Sequence, residues 1–397
     1  MTVDFSPPDI GEKEVEAVSR VLKSGWITTG PETKAFEHDI EAYLGTERCA
    51  CLSSATAALE ISLRVLGIGP GDEVITCAYT FTASAAVIEH VGAEIVLVDS
   101  APGSPFIDMD AVEKAITPKT KAIIPVDYGG VPVDYDRLRK IVEDAKPMFR
   151  PSSKMQEELG RIAIVADCAH SFGSKYKGAC VPKYVDFACY SFHAVKSLTT
   201  AEGGAACFRG IGSFDAESIY RMFMLYSLHG ETKDALSKTR AGAWEYDVEI
   251  PGYKSNMTDI MAAIGRVQLT RFPGIIERRF EITDGYDAAF SKNGRIIPPV
   301  FKNDEIWAIP YIYYAEIKGS SVEERNEIIL KLADMGIRAN VHFKPLPMMT
   351  AYRKMGFDIK DYPCAYDFYT HEISLPLNTV MTDEQVEYVE QSLLSIL

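Results

Sequence analysis

The stretch Tyr190-Ser191-Phe192-His193-Ala194-Val195-Lys196-Ser197-Leu198-Thr199-Thr200-Ala201-Glu202-Gly203-Gly204 decides the fold. It sets a lysine just past an apolar, strand-like run, Val185 to Phe192, and ahead of an expected Gly-Gly turn. Upstream, Ile162-Ala163-Ile164-Val165-Ala166 ends in Asp167, a second apolar run with a charge at its carboxyl end. In open α/β sheets, ligands collect beyond the carboxyl ends of strands, so Lys196 and Asp167 are expected to face one crevice.

Working outward, further apolar runs of strand length alternate with helical patterns. Strands are expected at Glu73 to Cys77, Glu94 to Val98, Lys121 to Val126, Ile162 to Ala166 and Val185 to Ser191. Helices are expected at Thr56 to Leu66, Ala83 to Val91 and Asp134 to Asp144. Continuous Val/Ile-rich strands alternating with helices indicate an α/β fold, a mainly parallel sheet covered on both faces. Past Asn256 the texture changes: a helix over Thr258 to Phe272, a charged stretch Glu277-Arg278-Arg279-Phe280-Glu281, a strand at Tyr311 to Ile317, and helices at Val322 to Met335 and from Asp383. The division expected is a large domain, 1–270, and a smaller C-terminal α/β domain, 271–397. Pro147 to Gly160, rich in Pro, Ser, Lys and Glu, reads as a surface insertion.

A strand-end lysine with a strand-end acid suits pyridoxal 5'-phosphate (PLP). The amine attaches the cofactor and the carboxylate keeps the pyridine nitrogen protonated. Spacing alone also fits a surface lysine and a helix-capping aspartate. The small-residue turn Ser53-Ser54-Ala55-Thr56-Ala57-Ala58 enters a helix, and free amides there suit a dianionic phosphate, although a plain Ser53 or Ser54 cap reads the same way.

The wording of several segments goes further. Ser191 to Gly204, with its Ser-x-His-x-x-Lys and Thr-Thr-x-Glu-Gly-Gly, resembles the lysine signature of the DegT/DnrJ/StrS nucleotide-sugar aminotransferases. Ser24-Gly25-Trp26-Ile27-Thr28-Thr29-Gly30-Pro31, Leu66 to Val74, Asp167-Cys168-Ala169-His170, Gly252 to Ile260 and Ser374-Leu375-Pro376-Leu377 resemble other motifs of that family, in family order across nearly the whole chain. The resemblance implies PLP fold type I. It implies a catalytic pair of Lys196 and Asp167, with Ala55, Thr56, Ala57, Phe81, His170, Ser191 and Asn256 also on the cofactor. Phe81 would stack on the pyridine ring, and Asn256 would reach the phosphate of a neighbouring subunit in a homodimer with shared active sites. Trp26, Thr28, Thr29, His193 and His342 are expected to border the sugar. The activity implied is transfer of an amino group from L-glutamate to a nucleotide-linked keto-sugar, at C-4 because of the Ser-Phe-His form, for surface polysaccharide or lipopolysaccharide. C-3 or cyclitol amination on the same scaffold, or a non-catalytic regulatory protein, are the alternatives. Family dehydratases carry histidine at the lysine position, so Lys196 argues against that chemistry.

Bulk properties narrow the rest. The chain has 397 residues, 47% hydrophobic and 24% charged, with a formal net charge of −15. Phosphate backbones reward a basic face, so neither nucleic acid nor an anionic membrane is an expected partner. Met1 to Pro8 lack the basic and apolar regions of a signal peptide, and a cytoplasmic enzyme is expected. The eight cysteines form no Cys-x-x-Cys pair, and the seven histidines offer no i, i+4 pair, so reduced thiols and no metal are expected. Gly67-x-Gly69-x-Gly71 follows a helix and precedes a strand, the reverse of a dinucleotide fingerprint.

Overall fold

The structure, a computed structural model, describes residues 1–232 and 245–397. Among the described residues, nine strands fall in the first two thirds: β1 (Arg48–Leu52), β2 (Glu73–Cys77), β3 (Glu94–Val98), β4 (Thr120–Ile124), β5 (Ala163–Asp167), β6 (Lys175–Tyr176), β7 (Ala179–Cys180), β8 (Phe187–Ser191) and β9 (Gly204–Phe208). Seven of them make one sheet in the order β1-β9-β8-β5-β4-β2-β3. The pairs from β8 to β3 are parallel, and β9 runs antiparallel to both its neighbours. β2, β4 and β5 are buried along their whole length, as strands covered by helices on both faces are, with Val and Ile at their centres.

The expected strands lie within two residues of those observed. β1 and β9 were not expected, because Cys and Ala fill them and neither residue signals a strand. Their small side chains let helices pack close. Gly204 corrects the expected Gly-Gly turn: it is the first residue of β9, opposite Leu52 and Ser191. A Cβ there would lie 2.2 Å from the Ser54 carbonyl carbon, so only glycine lets the strand pass the turn that opens helix Ala55–Val65.

Pro147 to Gly160, expected as a surface insertion, is mostly exposed and is anchored to the sheet side by its serines. Residues 152–156 pack against the Leu66–Asp72 turn through Ser152 Oγ to Asp72 Oδ1 (3.0 Å) and Ser153 Oγ to the Leu66 carbonyl (2.7 Å). Ser153 also caps helix Lys154–Leu159, whose Met155 and Gln156 are buried.

Helix Asp259–Phe290 continues past Phe272 and through the expected domain edge at 270. Pro273 forfeits one backbone hydrogen bond without ending it. Burial of Phe272, Ile275, Ile276, Arg279 and Ile282 on one face sustains the helix through the charged stretch. Beyond it, β10 (Ile296–Ile297), β12 (Tyr313–Ile317) and β13 (Glu372–Leu375) form a second, antiparallel sheet, with helices Val322–Asp334, Pro363–His371 and Asp383–Ile396 beside it. β11 (Ile306–Trp307) instead joins β6 of the first part. Val3 returns to this region, its N–H donating to the Gly336 carbonyl at 2.9 Å. Among the described residues, no helix is long and apolar enough to cross a membrane.

Candidate active site

The register of the large sheet puts the carboxyl ends of β1, β5 and β8 at one edge. Asp167 pairs with Cys189, Ser191 with Gly204, and Gly204 with Leu52. A cavity of about 390 Å³ opens there. Its wall includes Ala55, Thr56, Phe81, Asp167, His170, Ser191, His193, Lys196 and His342, nine of the fourteen residues expected at the site.

Asp167 lies at the cavity's inner end, 5% exposed. Ser84 Oγ donates to its Oδ2 at 2.7 Å and the Ala169 N–H to its Oδ1 at 3.1 Å. Burial pushes its pKa up, while Ser84, the Ala169 amide and the Lys196 charge pull it back. Lys196 follows a turn closed by its own N–H on the His193 carbonyl (2.9 Å). Its Nζ donates to Tyr311 Oη at 3.1 Å and lies 4.3 Å from the Tyr311 ring centre.

Tyr311 was missed by sequence reasoning. The signal available was an aromatic opening the expected strand from Tyr311 to Ile317, which also reads as core. Its place is fixed by the Gly129-Gly130 corner: its N–H donates to the Gly129 carbonyl at 3.0 Å. Gly130, at φ +103°, has the Ile309 carbonyl oxygen 2.1 Å from where a Cβ would sit. The Tyr311 ring also packs on His170, with centres 4.2 Å apart. His170 Nδ1 accepts the Gly129 N–H at 3.2 Å, which leaves the ring proton on Nε2. Burial, then the Lys196 and His342 charges, hold His170 well below the usual histidine range, so the ring is neutral. Burial likewise drives His342 down to about 4, with Lys196 adding to the shift.

At the opposite end, Ser54 caps helix Ala55–Val65 by accepting the Ala57 N–H at 3.1 Å. The Ala57 amide is therefore engaged within the helix, and Ala57 does not reach the cavity wall. The cap and anion readings are compatible: the first-turn amides of Ala55 and Thr56 remain for a ligand, beside the Thr56 and Ser191 hydroxyls. Phe81, 56% exposed, stands at the mouth with its ring 5.8 Å from that of Phe343. His193 Nε2 lies 3.6 Å from Glu202 Oε1.

Trp26, Thr28, Thr29 and Asn256 lie outside this cavity and form a cluster of their own. Asn256 Nδ2 donates to Thr29 Oγ1 (2.6 Å), Thr29 Oγ1 to the Met257 carbonyl (2.5 Å), and Trp26 Nε1 to the Thr29 carbonyl (3.1 Å). The Thr28 carbonyl accepts the Asp259 N–H at 3.2 Å.

The donor set fits PLP. A buried carboxylate suits the pyridinium nitrogen, a lysine amine stands beside it for covalent attachment, and unpaired amides with two hydroxyls suit the phosphate. Fold and site together define a PLP enzyme of fold type I. Residues 8–394 match the model of the DegT/DnrJ/EryC1/StrS aminotransferase family, and the chain belongs to it. The spore coat polysaccharide biosynthesis protein SpsC of Bacillus subtilis is 34% identical over 397 residues, spanning 99% of this chain and 96% of that protein. The putative sugar aminotransferase Spr1654 from Streptococcus pneumoniae, in its PMP form, superposes with a TM-score of 0.97 at 50% identity, covering 100% and 99% of the two chains. Its PLP form gives 0.96 at 48% identity, covering 100% and 98%. Helicobacter pylori PseC, an aminotransferase involved in the biosynthesis of pseudoaminic acid, gives 0.86 at 28% identity, covering 100% and 99%. The protein is a PLP-dependent sugar aminotransferase.

Proposed function

We propose that the enzyme moves the amino group of L-glutamate to C-4 of a nucleotide-linked keto-sugar, in the making of a surface polysaccharide or lipopolysaccharide. The observation that carries this reading is the convergence of Lys196, Asp167 and the Ser54–Thr56 turn on one cavity. The polysaccharide context is supported by the likeness to SpsC, and the C-4 position by the Ser-Phe-His form of the lysine segment.

PLP, when bound, supplies the electron sink that lets an amino acid lose its α-proton. The chain supplies the rest. Asp167, as a carboxylate, pairs with the ring nitrogen and keeps it charged. Lys196 Nζ takes the α-proton of the donor and later returns a proton, acting as base and then acid. Tyr311 Oη holds that amine in place when it is free. The neutral His170 and the apolar Val126 and Phe343 limit water around the reacting atoms.

The homodimer reading rests on the family resemblance at Asn256 and is supported by the position of Asn256, Thr29 and Trp26 off the cavity of their own chain. In this reading the cluster completes the site of a neighbouring subunit. Mixing inactive Lys196→Ala and Asn256→Ala proteins should restore activity, and no recovery refutes the shared site. The substrate is tested with a panel of nucleotide 4-keto and 3-keto sugars and labelled glutamate, scored by mass spectrometry of the amino-sugar. Preference for 3-keto substrates would move the reading to C-3. Failure to form 2-oxoglutarate with any acceptor would remove glutamate as the amino donor.

A further inference from the structure

The Ser374-Leu375-Pro376-Leu377 motif has no part in the chemistry above, yet its serine belongs to a buried chain of polar groups that ends in the cavity. Ser374 and Glu372 lie two apart on β13, so both side chains share one face, and both are 0% exposed. Ser374 Oγ donates to Glu372 Oε1 and lies 2.9 Å from His342 Nδ1. Glu372 Oε2 accepts the His342 backbone N–H at 2.9 Å. The two segments are tied by reciprocal backbone bonds between Asn340 and Ser374, at 2.9 and 2.8 Å. Tyr79 (2.7 Å) and Tyr128 both donate to the His342 carbonyl, and Phe5 stacks on its ring at 5.3 Å. The imidazole is thus pinned with Nδ1 toward Ser374, leaving Nε2 for the cavity that His342 lines.

A serine hydroxyl has one proton to donate. When Glu372 is ionised, that proton goes to the carboxylate, and Oγ can only accept from His342. The ring then carries its proton on Nδ1 and offers a lone pair at Nε2. When Glu372 is protonated, the carboxyl donates to Ser374, Ser374 donates to Nδ1, and the ring proton sits on Nε2. The state of one buried carboxyl therefore decides whether the cavity meets an acceptor or a donor.

We propose that Glu372, Ser374 and His342 form a proton relay whose open end, His342 Nε2, serves the oxygen of the incoming keto substrate. The identity of that oxygen rests on the function proposed above; the relay itself does not. In one cycle a proton enters at Nε2, the Nδ1 proton passes to Ser374 Oγ, and the serine proton passes to Glu372 Oε1. The carboxylate becomes an acid, and the imidazole is neutral before and after. The reverse sequence delivers the proton back to the cavity. Glu372 and Ser374 act as positioning residues, since neither reaches the substrate.

The surroundings suit a carboxyl that stores the proton. Burial pushes Glu372 up to about 8, with Arg325 opposing and Glu316 adding to the shift. Arg325 Nη1 donates to the Glu372 carbonyl at 2.7 Å, and Glu316 is its partner across the β12–β13 ladder. The Glu372 charge also bears on the buried phenols Tyr79 and Tyr128. His342 itself, held down by burial, does not become a cation at neutral pH.

The test is a nitrogen NMR titration of the PLP-loaded protein carrying ¹⁵N-histidine, with His342 assigned from a His342→Gln spectrum. As pH rises through the Glu372 titration, the ring proton should move from Nε2 to Nδ1 with no imidazolium signal. In Glu372→Gln, the amide oxygen must accept the His342 N–H, which turns the NH₂ toward Ser374 and fixes the Nε2–H form at every pH. Ser374→Ala should also abolish the exchange. A wild-type ring that keeps one tautomer throughout, or an exchange that survives in either variant, overturns the relay. Should Glu372→Gln fail to fold, the wild-type and Ser374→Ala titrations still decide. An exchange observed in a protein that aminates no keto-sugar would leave the relay standing and remove the substrate reading.

Discussion

Ser84→Ala is the perturbation whose size the structure sets most directly. Ser84 Oγ lies 2.7 Å from Asp167 Oδ2, both groups are buried, and alanine keeps the shape of the site apart from one oxygen. A hydrogen bond to a charged group contributes about 1.5–3 kcal/mol. At 1.36 kcal/mol per pKa unit, its loss raises Asp167 by roughly one to two units. Burial has already pushed this carboxyl up, and Ser84 is the largest of the effects that pull it back. Cofactor binding requires the carboxylate, so affinity falls as pH drops through the Asp167 pKa. Without Ser84 that acid limb should begin about one to two pH units higher. The raised carboxyl has a second consequence. Its protonated form is favoured in the folded chain, so it costs stability as pH rises above its unfolded value, and the variant should lose more stability at neutral pH than at acid pH. The assay is PLP affinity measured across pH by absorbance titration of the apoprotein, with thermal unfolding in parallel. An acid limb at the wild-type position would refute the argument that Ser84 sets the charge of Asp167.

Lys196→Ala should abolish turnover while leaving the circular dichroism spectrum unchanged, and borohydride reduction should no longer fix the cofactor on the peptide spanning residue 196. Tyr311→Phe keeps the ring packed on His170 but removes the Lys196 contact. Loss of one such hydrogen bond, about 1.5 kcal/mol, should lower kcat on the order of tenfold with little change in melting temperature. Equal kcat would assign Tyr311 to packing alone. Gly204→Ala should weaken PLP binding and destabilise the fold together, because the added Cβ meets the backbone of Ser54. Gly274→Ala, on the exposed side of helix Asp259–Phe290 with nothing within 4 Å, should instead stabilise by roughly 0.5–1 kcal/mol. A shared response of the two glycines in denaturant midpoint would contradict the close-approach argument.

The parts of the fold readable from sequence are those whose residues declare their own burial. Val74, Ile75, Val96, Val98, Ile164 and Val165 mark β2, β3 and β5 without help from any partner. β1 and β9 are strands only because of what packs on them, and a run such as Cys49-Ala50-Cys51 carries no such mark. The same division holds at the site. Lys196, Ser191 and His193 sit in one recognisable segment, and Asp167 and His170 in another. Ser84 and Tyr311 arrive from distant segments where serine and tyrosine are ordinary residues. The Ser374 motif could be seen, but its hydroxyl acquires meaning only from Glu372 and His342. Helix Asp259–Phe290 runs past its expected end at Phe272 because the charged stretch Glu277 to Glu281 masks the apolar face that continues through Ile275, Ile276 and Ile282.

The Gly129-Gly130 corner has a consequence for how substrates enter. The segment carrying Tyr311 is stitched to the sheet bearing Asp167 at several points: Tyr311 N–H to the Gly129 carbonyl, Ile309 N–H to Ser174 Oγ at 2.9 Å, and the β6–β11 ladder. A clamshell opening that parted these segments would break all of those hydrogen bonds at once. Phe81, His193 and Glu202 are the exposed residues of the cavity wall, so the cavity meets solvent at the rim they form, and the fixed seam leaves that rim as the place where a bound molecule can be exchanged without breaking the fold.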